Sequence, residues 1–147
     1  MSGPFLPARS RGHWPVLALS LATAPLLLAL ALLITPDPRG FGTHEQLGLP
    51  PCRAIDWFGI PCPGCGITTS ISLLLQGDLR GSLTTQPFGL IATFILAAFA
   101  VWGPFAALAG RDLGRDLSRL RFGPWGAALG ALLAASWIYK IVAVLGS

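Results

Sequence analysis

The sequence predicts an all-α membrane protein: three transmembrane helices, plus a short interfacial or re-entrant helix that follows a cysteine-rich loop. Two observations carry this reading. Of 147 residues only 11% are charged while 53% are hydrophobic, against roughly 25% charged in an ordinary globular chain. So few charges cannot cover a water-facing surface, and hydrocarbon must be the solvent for much of the molecule. The second observation is a set of three long apolar runs, residues 14–34, 87–108 and 124–145, the first two free of any charge. Each is long enough to cross the roughly 30 Å core of a bilayer as a helix.

Residues 1–13 form a polar tail that carries Arg9 and Arg11 just before the first run. Pro15 suits a first helical turn, where its missing N–H costs nothing. Pro25 lies mid-run, a position that membrane helices tolerate, and Thr35-Pro36-Asp37-Pro38 ends the run. Arginine ahead of an apolar stretch is also the pattern of a cleaved signal peptide. The run is long for that, and no small-x-small cleavage site precedes Thr35, so an uncleaved signal anchor is expected. The second run is opened by Pro87, and the third carries Gly126, Gly130 and Ala131, small residues suited to close helix contact.

Residues 109–123 join the second and third runs as a loop with four arginines, Arg111, Arg115, Arg119 and Arg121. With Arg9 and Arg11 they make six on one side of the membrane, against Arg39, Arg53 and Arg80 in residues 35–86. Lys/Arg bias sets orientation, and acidic residues contribute little. The N-terminus and the Arg loop are therefore expected in the cytoplasm of an inner-membrane, multi-pass protein. Residues 35–86 and the C-terminus face outward. A net charge of +4 could also suit nucleic acid, but the arginines flank apolar runs and show no aromatic interleaving in a polar patch. Nucleic acid is not an expected partner. The bilayer is, with other membrane subunits or further copies of the chain as the remaining candidates.

All three cysteines, Cys52, Cys62 and Cys65, fall in the outward segment, amid Pro and Gly that impose an irregular backbone. An odd count cannot be fully paired within one chain. After Gly66 the pattern changes: Ile67, Ile71, Leu74 and Leu75 share one helical face. That helix is too short to span. Cys65 thus sits at or just before a helix N-terminus, where free N–H groups favour a thiolate. Thr68 and Thr69 are expected to satisfy those N–H groups, and Asp78 to cap the helical stretch that begins after Gly77. The spacing Cys62-Pro63-Gly64-Cys65 puts two sulfurs within reach of each other. Such a pair can close as a disulfide, cycle between thiol states or supply two ligands to a soft metal. Zinc usually takes four ligands, and His44 with Cys52 would complete the set His44, Cys52, Cys62 and Cys65.

The stretch Gly42-Thr43-His44-Glu45-Gln46-Leu47-Gly48-Leu49-Pro50-Pro51-Cys52, then Pro61-Cys62-Pro63-Gly64-Cys65-Gly66-Ile67-Thr68-Thr69, with Gly77-Asp78-Leu79 and Gln86-Pro87, resembles a bacterial membrane family catalogued as domain of unknown function 2752. The likeness runs over roughly residues 35–145 and includes Trp137-Ile138-Tyr139-Lys140. Thr69 stands where many members carry Arg, and Gln86 where Asn is common. The resemblance implies the membrane class and marks the Pro-Cys-Pro-x-Cys-Gly core as the family's signature; it implies no activity.

The residues point away from an enzyme. No phosphate-binding glycine loop or nucleophile–base constellation occurs, and Glu45 and Asp56 are expected to be solvated loop carboxylates rather than an acid/base pair. Lys140, with Trp137 and Tyr139 beside it, is expected to snorkel to the membrane interface. Two functions stay open: an accessory or scaffold subunit whose outward loop is closed by a disulfide or by metal, and a thiol redox or metal-handling protein that uses Cys62 and Cys65.

Overall fold

The computed structural model describes residues 10–120 and 122–146. Arg9 and Arg121, two of the six arginines in the orientation count, lie outside them. Among the described residues every regular element is helical. The long helices are α1 (His13–Leu32), α5 (Pro87–Leu108) and α7 (Phe122–Leu145), each long and apolar enough to cross a membrane. Between α1 and α5 come a 3-10 turn (Thr43–Leu47) and the short helices α2 (Arg53–Phe58), α3 (Ile67–Leu75) and α4 (Leu79–Thr85); α6 (Leu113–Arg119) links α5 to α7.

The side chains are sorted in the way lipid demands. In α1 the buried positions include Ser20, Thr23, Leu27 and Leu30, spaced three or four apart on one face. Leu28, Leu32 and Leu33, by contrast, are more than half exposed. In α5 the buried residues are the small ones, Gly89, Thr93, Gly103 and Ala106, while Phe94, Val101, Phe105 and Leu108 point outward. Hydrocarbon offers no hydrophobic drive for helices to hide leucine, so small residues take the contact and the backbones approach closely. The buried hydroxyls need no outside partner: Ser20 donates to the Leu17 carbonyl, Thr23 to Leu19 and Thr93 to Gly89, each at 2.8 Å.

Helix α3 is the hub of the cysteine-bearing end. At nine residues it rises only about 14 Å, half a bilayer core. Ile71 packs with Leu27, Leu30 and Ile34 of the α1 side, with Ile67 and Leu75 against that cluster. The opposite face is polar and buried. Ser70 Oγ lies 2.9 Å from the Ser82 hydroxyl and from the Ser82 and Gln86 carbonyls, which closes α3 onto α4. Gly77, at φ +91°, lets the chain reverse after α3. Asp78 then occupies the N-cap of α4 and accepts a 2.7 Å hydrogen bond from the Gly81 N–H.

Four expectations need correction. Thr68 and Thr69 do not cap α3: its N-cap is Gly66, at φ +88°, with no side-chain cap bond. The helix starts one residue before Thr68, which places both threonines inside its first turn. Thr69 instead meets Thr43 of the 3-10 turn, hydroxyl to hydroxyl at 2.8 Å. Second, residues 109–123 are not simply a loop, because Asp112 caps a helix there. Third, Gly126 and Gly130 have no neighbouring atom within 4 Å of where a Cβ would sit, and Ala131 is exposed. The close approaches fall on α5 instead, where Gly89 abuts Ser70 and Gly103 abuts Ser20. Fourth, Lys140 is buried rather than snorkelling.

Helix α7 is tied down by polar side chains near its C-terminal end. Ser136 Oγ accepts from the Phe88 N–H at 3.0 Å, Trp137 Nε1 donates to the Pro61 carbonyl at 2.7 Å, and Tyr139 donates to Thr84 at 2.8 Å. Lys140 donates to the Gly40 carbonyl at 3.0 Å. These bonds anchor one end of α7 and leave the stretch around Gly126 standing off. Trp137 and Tyr139 are therefore fasteners for residues 35–86 as well as aromatic surface.

The other end of the bundle is closed by the chain before α1. Ser10 gives Asp112 two 2.6 Å hydrogen bonds, one from its N–H and one from its hydroxyl, and the Leu113 N–H donates to His13 Nδ1 at 3.3 Å. The start of α1 and the arginine-bearing α6 thus share one end, with the cysteines at the opposite one. The Ser10 hydroxyl, and then its N–H, hold the Asp112 carboxyl down at about 2. A depressed folded-state value means the tether is fully present above the ordinary 3.8 and is lost as the pH falls towards about 2. Slowed exchange of the Ser10 amide, corrected for its intrinsic pH dependence, should follow that course in the wild type and be absent at every pH in Asp112→Ala. Equal protection in the variant would refute the tether.

Candidate metal centre

The cysteine core is a turn laid against the start of α3. Pro63 fixes one φ and Gly64 follows it, so the chain doubles back and the Cys65 N–H reaches the Cys62 carbonyl at 2.9 Å. Ile67 N–H then bonds the Gly64 carbonyl at 3.2 Å. This reversal brings the Cys62 and Cys65 sulfurs to 3.4 Å from each other. Cys52 arrives on a separate arm as the N-cap of α2, its carbonyl accepting from Ile55 and Asp56 at 3.0 and 3.3 Å. The three Sγ atoms all lie within 4.8 Å of one another, and all three cysteines are free thiols.

Burial differs across the trio and sets their acidity. Cys65 is 2% exposed, whereas Cys52 and Cys62 are half-buried. Burial, followed by the Cys52 and Cys62 thiols that surround it, pushes the Cys65 thiol far up. Burial also raises Cys52. The Cys65 thiol, the N–H groups of Cys62 and Ile55, and the Cys62 thiol together outweigh it and bring Cys52 down to about 7.

That donor set suits a soft cation. Bonds of about 2.3 Å from a zinc ion place neighbouring thiolate sulfurs about 4 Å apart, inside the spread seen here. Thiolates select zinc or monovalent copper over hard ions, and binding would drive off the remaining thiol protons. Three protein sulfurs leave a fourth position open. His44 lies outside the sulfur group: its Nε2 is 3.2 Å from the Pro50 carbonyl, on the arm that delivers Cys52. Glu45 and Asp56 form no pair either. Glu45 meets Arg39 at 3.3 Å, and Asp56 is exposed on α2.

Groups beyond the cysteines fix the turn. Trp137 Nε1 holds the Pro61 carbonyl on one flank, and Gln86 Nε2 reaches the Pro63 carbonyl at 3.4 Å on the other. Sequence reasoning missed both. Gln86 entered only through the family resemblance and Trp137 only as a neighbour of Lys140; what they share is a side-chain N–H in or beside an apolar run, a group that must find an acceptor when buried.

A multi-pass helical chain with a three-sulfur cluster at one end is the class that fold and site define. Residues 52–100 match the family model described as protein of unknown function (DUF2752). The resemblance carried by the cysteine core is thereby shown, over a narrower span than residues 35–145. No curated protein and no solved structure matches the chain.

Proposed function

We propose that this is a multi-pass protein of the inner membrane whose outward segment closes around one soft metal ion, zinc before others, through Cys52, Cys62 and Cys65. The metal locks residues 35–86 into a rigid cap, and the chain serves as an accessory or scaffold subunit rather than as an enzyme. One observation carries this reading: three free sulfurs within 4.8 Å, drawn from two arms of the chain. The cysteine end faces out. The arginines that cluster at the opposite end, Arg111, Arg115 and Arg119, support that orientation, because Lys/Arg bias marks the cytoplasmic side.

The test is zinc titration of full-length protein in detergent, with its thiols reduced and oxygen excluded. One equivalent bound, with protection of all three thiols from alkylation, is the expected result. Failure to retain any zinc or monovalent copper would overturn the reading. The 3.4 Å approach of Cys62 to Cys65 favours a second reading, in which an external disulfide takes two electrons from the pair as it loses two protons and forms its own S–S bond. Ready oxidation of the pair by an external disulfide in metal-free protein, reversed by an external dithiol, together with no retained metal, would select that alternative.

A further inference from the structure

We propose that Lys140 is the counter-cation of the cysteine centre, so that the site holds its ion as a negatively charged three-thiolate complex neutralised from within α7. The proposal rests on the metal reading above. Lys140 is the only lysine in the chain and is 5% exposed inside an apolar helix. Its ammonium has three N–H donors but one recorded hydrogen-bond acceptor, the Gly40 carbonyl at 3.0 Å, with the Phe41 ring centroid 6.0 Å away. Among the described residues no carboxylate pairs with it; Asp37 and Glu45, on the same segment as Gly40, are engaged by Arg39. An ammonium in this position is costly without an anion.

The backbone is shaped to admit that ammonium to the cysteine turn. Gly40 and Gly66 both have positive φ, +73° and +88°. A Cβ on either would crowd the lysine, at 3.1 Å and 3.4 Å from Nζ, and a Cβ on Gly66 would also lie 2.7 Å from the Gly40 carbonyl oxygen. Gly66 directly follows Cys65, so the ammonium lies beside the cysteine turn. Three thiolates around a divalent ion carry a net charge of minus one, and around a monovalent ion minus two. Lys140 lies where either excess can be offset. The fastening bond to Gly40 then has a second consequence: it holds the positive charge beside Gly66, next to the cysteine turn.

A fastener and a counter-cation respond differently to the charge of the metal. Full-length wild type, Lys140→Arg, Lys140→Gln and Lys140→Met are compared in detergent by chelator competition with Zn(II) and with Cu(I). Removing the charge should weaken Zn(II) binding about tenfold and Cu(I) binding about a hundredfold, because the interaction scales with the charge on the complex. Lys140→Arg should keep both affinities to within about threefold. Whichever neutral variant retains wild-type helicity and gel-filtration position is the one read. Unchanged affinities in it, or equal losses for the two ions, would overturn the proposal, as would loss of binding in a folded Lys140→Arg. If neither ion binds the reduced wild type, the metal reading itself has failed, which separates that failure from this one.

Discussion

Replacing Cys65 by alanine is expected to weaken zinc binding by about a thousandfold, while His44→Ala changes it by less than about tenfold. Structural zinc binding releases roughly 10–16 kcal/mol in small sites, so an equal third falls to each of three sulfurs, about 3–5 kcal/mol. Cys65 is also the buried member, and the other two cannot close the gap it leaves, since Pro63 and Gly64 fix Cys62 and a different arm fixes Cys52. His44 acts at one remove. Its ring meets the Pro50 carbonyl, and its loss loosens the arm that carries Cys52 without removing a donor atom. Competition against a chelator of known affinity, run on folded variants, checks both numbers. A His44 loss as large as the Cys65 loss would mean that the histidine binds metal, and the three-sulfur description would be wrong.

That contrast also separates what the sequence alone discloses from what only the fold decides. The long helices were legible because length and apolarity alone decide them, and α3 because Ile67, Ile71 and Leu75 repeat at helical spacing before a glycine. The meeting of Cys62 and Cys65 follows from local turn chemistry. What stayed hidden depends on residues far apart in the chain. Nothing local steers His44 towards Pro50 or directs Trp137 and Lys140 to carbonyls 76 and 100 positions away. Lys140 did carry a signal, a charge within an apolar run, but nearness to the chain end made snorkelling the simpler account. Helix α6 was obscured by its arginines, although Asp112 ahead of Leu113 was a readable cap. The small residues of α7 misled for a different reason: in lipid, small side chains permit close contact without compelling it, and only a partner's shape decides which of them are used.

Gly103→Ala and Gly126→Ala should therefore move stability in opposite directions, although each adds one methyl to a spanning helix. At Gly103 the new Cβ would collide with Ser20 of α1, meeting the Ser20 Cβ as well as its hydroxyl. Rotation about χ1 relieves a hydroxyl but cannot move a Cβ, so the backbones of α1 and α5 must part along the seam. Overpacking of this kind costs about 1–3 kcal/mol. It exceeds the gain of up to about 1 kcal/mol that alanine brings to a helix interior. Gly126 has no neighbour to strike, so there only the propensity gain remains. Unfolding in a denaturing detergent, followed by helicity, measures both shifts. If the clash is the cause, Ser20→Gly should restore much of the loss in the Gly103→Ala background while giving no such gain alone. Additive effects of the two substitutions would place the origin of the loss elsewhere than the contact between α1 and α5.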